Sequence, residues 1–209
     1  MKRARFDKTA REALTTCVRE IESATDAELV LIVRARSGSY RHADYLFGAI
    51  LALAGLLFLV FSPFDFHQYW LAIDVPLLFA LGALISSRSN SLRRLTTTRK
   101  FRSAAVRTGA AAMFYEAGIA NTTAEMGLLI YLSILERRLE LIADRGVLKD
   151  VPSLEWNQMI FDLREAGKTP EPQRLLEPLS RLGKLLACHC PATGENPNEL
   201  PDMPRFELT

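Results

Sequence analysis

The chain has 209 residues, is 49% hydrophobic and 24% charged, and carries a formal net charge of +2. These averages exclude collagen-like, disulfide-rich and wholly disordered classes, and the near-balanced charge argues against a dedicated nucleic-acid binder, which shows a strong basic excess. Three cysteines, Cys17, Cys188 and Cys190, are odd in number and badly spaced for a disulfide framework, which points to a reducing compartment.

The chain opens on MKRARFDK, which is basic but lacks the apolar run of a cleavable secretory signal. Ala10, Leu14, Cys17, Val18 and Ile21 then recur at helical spacing behind Asp7, predicting an amphipathic helix over 8–23 with Asp7 as its N-cap. Cys17 falls on the apolar stripe, where burial holds a thiol protonated and unreactive. Thr25 and Asp26 turn the chain into ELVLIV, residues 28–33, a continuous β-branched-rich run suited to a strand covered on both faces.

Residues 45–64 contain no charge over twenty positions, enough for a helix to cross the ~30 Å hydrocarbon layer. No polar face interrupts the run, as a soluble core helix would require. Residues 69–87 form a second candidate span, broken by Asp74 and Pro76. Asp74 lies just inside the aromatic pair Tyr69 and Trp70, where it reads as an interfacial residue, with an intramembrane relay as the other reading. Pro76 is tolerable near the start of a spanning helix. The short connection 62–68 makes the pair a helical hairpin. Its expected flanks are Arg41 before the first span, Tyr69 and Trp70 opening the second, and Arg88, Arg93 and Arg94 after it. Arg99, Lys100, Arg102 and Arg107 extend the basic run with no acid before Glu116, while the intervening turn has Asp65 and no Lys or Arg. The positive-inside rule therefore places both termini in the cytoplasm, and the basic run can also lie on anionic lipid.

Ser103 is placed to cap a helix through Glu116, with Val106, Ala110, Met113 and Phe114 inward and Gly118 after its end. GLLIYLS, residues 127–133, and 137–143 are β-rich runs separated by a few residues including Glu136, which predicts a hairpin. Asp144, Arg145 and Gly146 supply a turn. Ser153 is placed to cap a helix ended by Gly167, and a last helix starts at Pro172 with a leucine stripe. Beyond Cys190 four prolines in fourteen residues predict an irregular tail.

A strand at 28–33 has too few neighbours to stand alone, so its partners must be 127–133 and 137–143 across the apolar insert. The expected organisation is 1–43, N-terminal helix and first strand of an α/β domain; 44–87, transmembrane hairpin; 88–107, basic juxtamembrane segment; 108–190, remainder of the domain; and 191–209, irregular tail.

The stretches AELVLIVRARSGSYR (27–41), AAAMFYEAGIANTTAEMGLLIYLSILERRLELIADRG (110–146) and NPNELPD (196–202) together resemble the TPM-domain family, in a bacterial branch with an inserted transmembrane pair. The resemblance runs over nearly the whole chain, and the GLLIYLS strand with its ERRLELIADRG return is its most specific part. It implies a compact α/β sandwich around a central sheet, and it implies either divalent-metal binding without catalysis or acid phosphatase activity. Thr123, Glu136, Arg137, Asp144 and Gly146 fall on positions that match the family's pattern.

A phosphatase needs an activated nucleophile or a metal held by oxygen ligands. No Cys followed five residues later by Arg, no D-x-D after a strand, no P-loop and no H-E-x-x-H is present. Asp144, at a strand end, is the carboxylate best placed as a catalytic or metal-binding group, its other reading being a turn former before Gly146. Glu136 is the second candidate for either role, its other reading being a solvated hairpin tip paired with local arginines. Cys188, His189 and Cys190 are adjacent and cannot easily close a tetrahedral zinc site.

The reading is an integral inner-membrane protein of two spans carrying a cytoplasmic α/β module, non-enzymatic, that binds partners or divalent ions in the maintenance of a membrane complex. Its expected partners are the lipid bilayer and other membrane proteins, with no nucleic acid. The alternative is an acid phosphatase dependent on Ca²⁺ or Mg²⁺ and using Asp144.

Overall fold

A computed structural model describes residues 6–64, 68–169, 171–194, 199–200 and 203–208. The chain divides into two compact units: residues 1–37 with 103–209, and residues 38–102.

The first unit is a mixed α/β fold. It begins with α1 (Lys8–Ala24), whose N-cap Asp7 accepts a hydrogen bond from the Ala10 N–H at 2.8 Å. Among the described residues four strands follow in the sheet order β3-β2-β1-β4: β1 (Glu28–Arg34), β2 (Gly127–Ser133), β3 (Arg138–Ala143) and β4 (Arg205–Glu207). β1 pairs in parallel with β2, from Glu28 opposite Gly127 to Arg34 opposite Ser133. β2 and β3 form the expected antiparallel hairpin, closed by a turn over 134–137 in which Arg137 takes a left-handed φ of 52°.

Every residue of β2, and all of β1 before Arg34, is buried. The period-two alternation of a strand explains how both faces are used. Leu29, Leu31 and Val33, with Leu128, Ile130 and Leu132, join a core that includes Leu14, Val18 and Ile21 of α1, and Leu residues of α8 (Pro172–His189). Trp156, Met159 and Leu163 of α7 (Ser153–Gly167) belong to the same cluster. Val30, Ile32, Leu129 and Tyr131 face the other way, against Val106, Ala110, Met113 and Phe114 of α5 (Arg99–Glu116). Helices therefore cover the sheet on both faces, as the continuous apolar strand sequences require.

Several local expectations are corrected. The segment 191–209 is not wholly irregular: β4 extends the sheet, pairing in parallel with Ile32, Val33 and Arg34. Thr193, in the same segment, is tied down as well, because its hydroxyl and N–H both donate to Asp26, at 2.8 and 3.0 Å. Three strand residues are too few to show a period, so no pattern announced them. α5 starts at Arg99 rather than after Ser103, with Thr98 Oγ1 accepting from the Phe101 N–H at 3.3 Å. Ser153 is the first residue of α7 and makes no cap; Pro152 holds the N-cap position without a side-chain bond. The residues 144–146, expected as a turn, open a short helix α6 (Arg145–Asp150), with Asp144 as its N-cap.

The second unit is a pair of helices with a short third. α2 (Arg41–Phe61) and α3 (Gln68–Arg88) each have 21 residues. Gly48 approaches Phe79 and Ala83, Gly55 approaches Leu78, and Asp44 meets Ser86, so the two run antiparallel. A Cβ built on Gly48 would lie 2.6 Å from the Phe79 carbonyl oxygen, and one on Gly82 would lie 2.9 Å from the Gly48 Cα. Hydrogen is the only side chain that permits this backbone approach. α4 (Asn90–Thr96) follows, capped by the Ser89 hydroxyl. The connection at 65–67, with Asp65, lies outside the described residues.

Candidate functional site

The apolar hairpin carries its large side chains outward. Leu46, Ile50, Leu53, Phe58 and Val60 of α2, and Trp70, Ile73, Leu77 and Leu84 of α3, are exposed. The windows of highest hydropathy in the two helices average 2.2 and 1.8, and only 17% and 11% of them is buried. Length and composition suffice for two membrane crossings, and the low burial separates these helices from the core helix of a soluble protein. Tyr69 and Trp70 are exposed at the start of α3, and Asp74 is half-buried four residues beyond Trp70.

What the helices bury between them is polar or small. Asp44, only 6% exposed, accepts hydrogen bonds from Arg93 of α4 in a two-pronged pair, Nε to Oδ1 at 2.9 Å and Nη2 to Oδ2 at 2.6 Å. The Ser86 hydroxyl of α3 donates to the same Oδ1 at 2.9 Å. The guanidinium fork matches the carboxylate plane, and the bond to Asp44 raises the Arg93 pKa further. One carboxylate thereby ties together three helices. Arg93, one of the expected membrane flanks, is bound to Asp44 within the unit. Arg41 and Arg88 are exposed, and Arg94 is half-buried with its Nη2 donating to the Ser91 hydroxyl.

In the α/β unit, the carboxyl ends of the parallel strands gather a second polar group. Glu136 is 4% exposed, so it is not the solvated tip expected of it. Its Oε1 accepts the Ser37 N–H at 2.9 Å and its Oε2 accepts the Ser133 hydroxyl. The Ser37 hydroxyl meets the Tyr131 hydroxyl at 3.0 Å, and Arg34 Nε donates to Glu207 of β4 at 2.5 Å. Burial pulls the Arg34 pKa down, but the bonds to Tyr131 and Glu207 outweigh it and leave the group raised. A Cβ at Gly109 would lie 2.9 Å from the Tyr131 hydroxyl oxygen, so α5 closes over this group. Ser133 and Glu136 are a hydrogen-bonded hydroxyl and carboxylate, yet Ser133 has no exposed surface for a substrate to reach. Chemically the group is a tie: it holds Ser37, the last residue before the helical insert, to the β2–β3 turn.

Asp144 stands at the opposite end of the sheet. Its N–H donates to the Gly127 carbonyl, whereas Glu136 follows Ser133, the last residue of β2. A seven-residue strand separates them, about 20 Å at ~3.3 Å per residue. The two candidates therefore cannot act on one metal or one phosphate. Asp144 Oδ1 accepts the Arg145 N–H at 2.7 Å. Its Oδ2 is buried with no hydrogen-bond partner among the described residues, as is Thr122 Oγ1. The turn that includes Glu125, at φ 54°, lies beside it, since the Gly146 N–H donates to the Glu125 carbonyl. Thr123 presents its N–H to the Glu199 carboxylate at 3.2 and 3.3 Å, and the Glu199 N–H reaches Glu28 Oε1 at 3.1 Å. Among the described residues no three His, Cys, Asp or Glu side chains are grouped to hold a metal ion.

Cys188 and Cys190 diverge at the end of α8, one exposed and one buried, and His189 Nε2 lies 3.2 Å from Glu155. A groove of about 540 Å³ between α7 and α8 is lined by Leu154, Glu155, Gln158, Met159, Asp162 and Arg181, among others, and a smaller one of about 190 Å³ lies between α1 and α8. Neither includes Asp144 or Glu136. His67 lies outside the described residues.

No protein-family model and no curated protein matches the sequence. Among solved structures, the NMR structure of the BA42 protein from the psychrophilic bacterium Bizionia argentinensis is similar in fold, with a TM-score of 0.55 at 15% identity. The alignment covers 96% of this chain and 94% of that one, and at this identity it speaks for the α/β fold alone.

Proposed function

We propose that the chain is an integral protein of the bacterial inner (plasma) membrane, spanning it twice with both termini in the cytoplasm. In this reading the α/β unit is a TPM-like module, non-enzymatic, that binds protein partners or divalent ions in the maintenance of a membrane complex. The observation that carries the reading is the outward-facing apolar surface of α2 and α3, whose large side chains have no protein to cover them within their unit. Water is a poor solvent for such a surface, and hydrocarbon is a good one. The basic residues that flank the two helices, against an intervening turn without Lys or Arg, support the orientation. The test is extraction of membranes from cells producing the full chain with alkaline carbonate. Retention in the pellet is expected, and release into the supernatant sinks the reading.

A second reading, a phosphatase dependent on Mg²⁺ or Ca²⁺, draws on one observation: the buried Oδ2 of Asp144, which lacks a donor among the described residues and could face a cation. Turnover of a generic phosphate ester by the purified chain, dependent on added metal and lost in Asp144→Asn, is the outcome it requires. Metal-independent or absent turnover removes it.

A further inference from the structure

The charges of the hairpin unit are one-sided. Residues 75–102 contain six Lys and Arg and no acid. Asp44, the acid in the first turn of α2, is bonded to Arg93 and Ser86. Four helices are gathered at this end, where α2 begins and α3 stops. The Asp44–Arg93 pair holds α4 there, and the ring of Phe101, near the start of α5, packs edge-on against His42 at 4.7 Å and Tyr40 at 6.0 Å between centroids. Arg41, Arg88, Arg99 and Lys100 are all exposed around it. Among them Leu95 of α4 is 81% exposed and Phe101 is 42% exposed.

Exposed cations interleaved with exposed apolar side chains, at the end of two helices of membrane-spanning length, fit the chemistry of a lipid headgroup layer. There phosphates lie level with the cations and acyl carbon begins immediately beneath. A nucleic acid offers the phosphates but leaves Leu95 in water. We propose that this end of the hairpin is a collar that binds anionic phospholipid headgroups, with α4 lying in the interface and Leu95 directed toward the acyl chains. The proposal rests on the two-span reading and adds to it a lipid preference that spanning alone does not demand.

The full chain is reconstituted into phosphatidylcholine vesicles holding a minor share of phosphatidylglycerol, and its association with spin-labelled forms of the two lipids is compared. Preference for phosphatidylglycerol is expected, weakening as salt is raised, with a loss of about fivefold for each cation removed near the surface. The variant carrying Arg41→Gln, Arg88→Gln, Arg99→Gln and Lys100→Gln should treat both lipids alike, while Arg41→Lys, Arg88→Lys and Arg99→Lys together should keep the preference. A wild-type chain that inserts but shows no preference overturns the collar and leaves the two spans standing. So does a preference that survives the four Gln substitutions, or a duplex oligonucleotide that displaces the labelled lipid. Failure of the wild-type chain to insert into these vesicles overturns the spanning reading itself. Should the Gln variant not insert, the salt titration of the wild-type chain decides: a salt-independent preference ends the proposal.

Discussion

β1 and α2 use the same aliphatic residues in opposite ways. In β1 all of Glu28 to Val33 is buried, and the apolar side chains divide between two protein cores. In α2 the large apolar residues face outward, while Ala43, Asp44, Gly48 and Ala52 are buried. The hairpin is thus organised with its polar and small residues inside and its bulk outside. Hydrophobic content alone does not say what solvates a side chain; the placement of the small and polar residues does.

The largest way to break the contrast is through its buried charge. Asp44→Ala leaves Arg93 without its carboxylate, and a loss of ~3–5 kcal/mol is expected for unfolding of the hairpin unit in detergent. Adding Arg93→Leu should recover most of it, because the isolated charge is then gone. Equal stability of Asp44→Ala and wild type would mean that the pair does not hold α4. A second comparison sharpens the two apolar environments. Ile130→Ala, at a fully buried strand position, should cost ~2–5 kcal/mol. Leu53→Ala, on the exposed face of α2, should change unfolding in detergent by no more than ~0.5 kcal/mol. Similar costs at the two sites would show that protein, not detergent or lipid, covers α2.

The smallest effect concerns the thiols. Burial, and then Glu20, pushes the Cys17 thiol up, and burial, then Asp150 and Asp26, does the same to Cys190. A thiol raised in the folded state contributes stability that is fully present below its unfolded value, ~8.5, and is lost as pH rises through the folded value. Iodoacetamide at pH near 8 should therefore modify exposed Cys188 well before the other two, and alkaline pH should erode stability slightly. Equal rates at all three would contradict the burial.

The features legible in the sequence were those with a local period. The 3.6-residue stripe of α1, the unbroken apolar strands β1 and β2, the β2–β3 hairpin and the two long apolar helices all stand where their patterns place them. What escaped depends on contacts between distant residues. Asp44 lies one residue before the uncharged run, and its partner Arg93 is forty-nine positions away, so no local rule pairs them. Glu136 sits beside Arg137 and Arg138 in the short turn between strands, which reads as a wet tip. It is buried because Ser37, ninety-nine residues earlier, passes beside it. The separation of Asp144 and Glu136 was, by contrast, readable: two carboxylates at opposite ends of one hairpin cannot converge.

The neighbours β1 and β2 pair in parallel, yet Glu28 and its partner Gly127 are separated by the whole helical insert. During synthesis at ~5–20 residues per second, β1 leaves the ribosome roughly 5–20 s before β2 can join it. Through that interval the strand has open edges on both sides, a hazard for pairing with other nascent chains. Only α1, made just before it, is at hand, and Leu14, Val18 and Ile21 can shield one face in advance. The N-terminal helix therefore acts as the strand's own escort, and a chain that lost it would be expected to aggregate while still being translated.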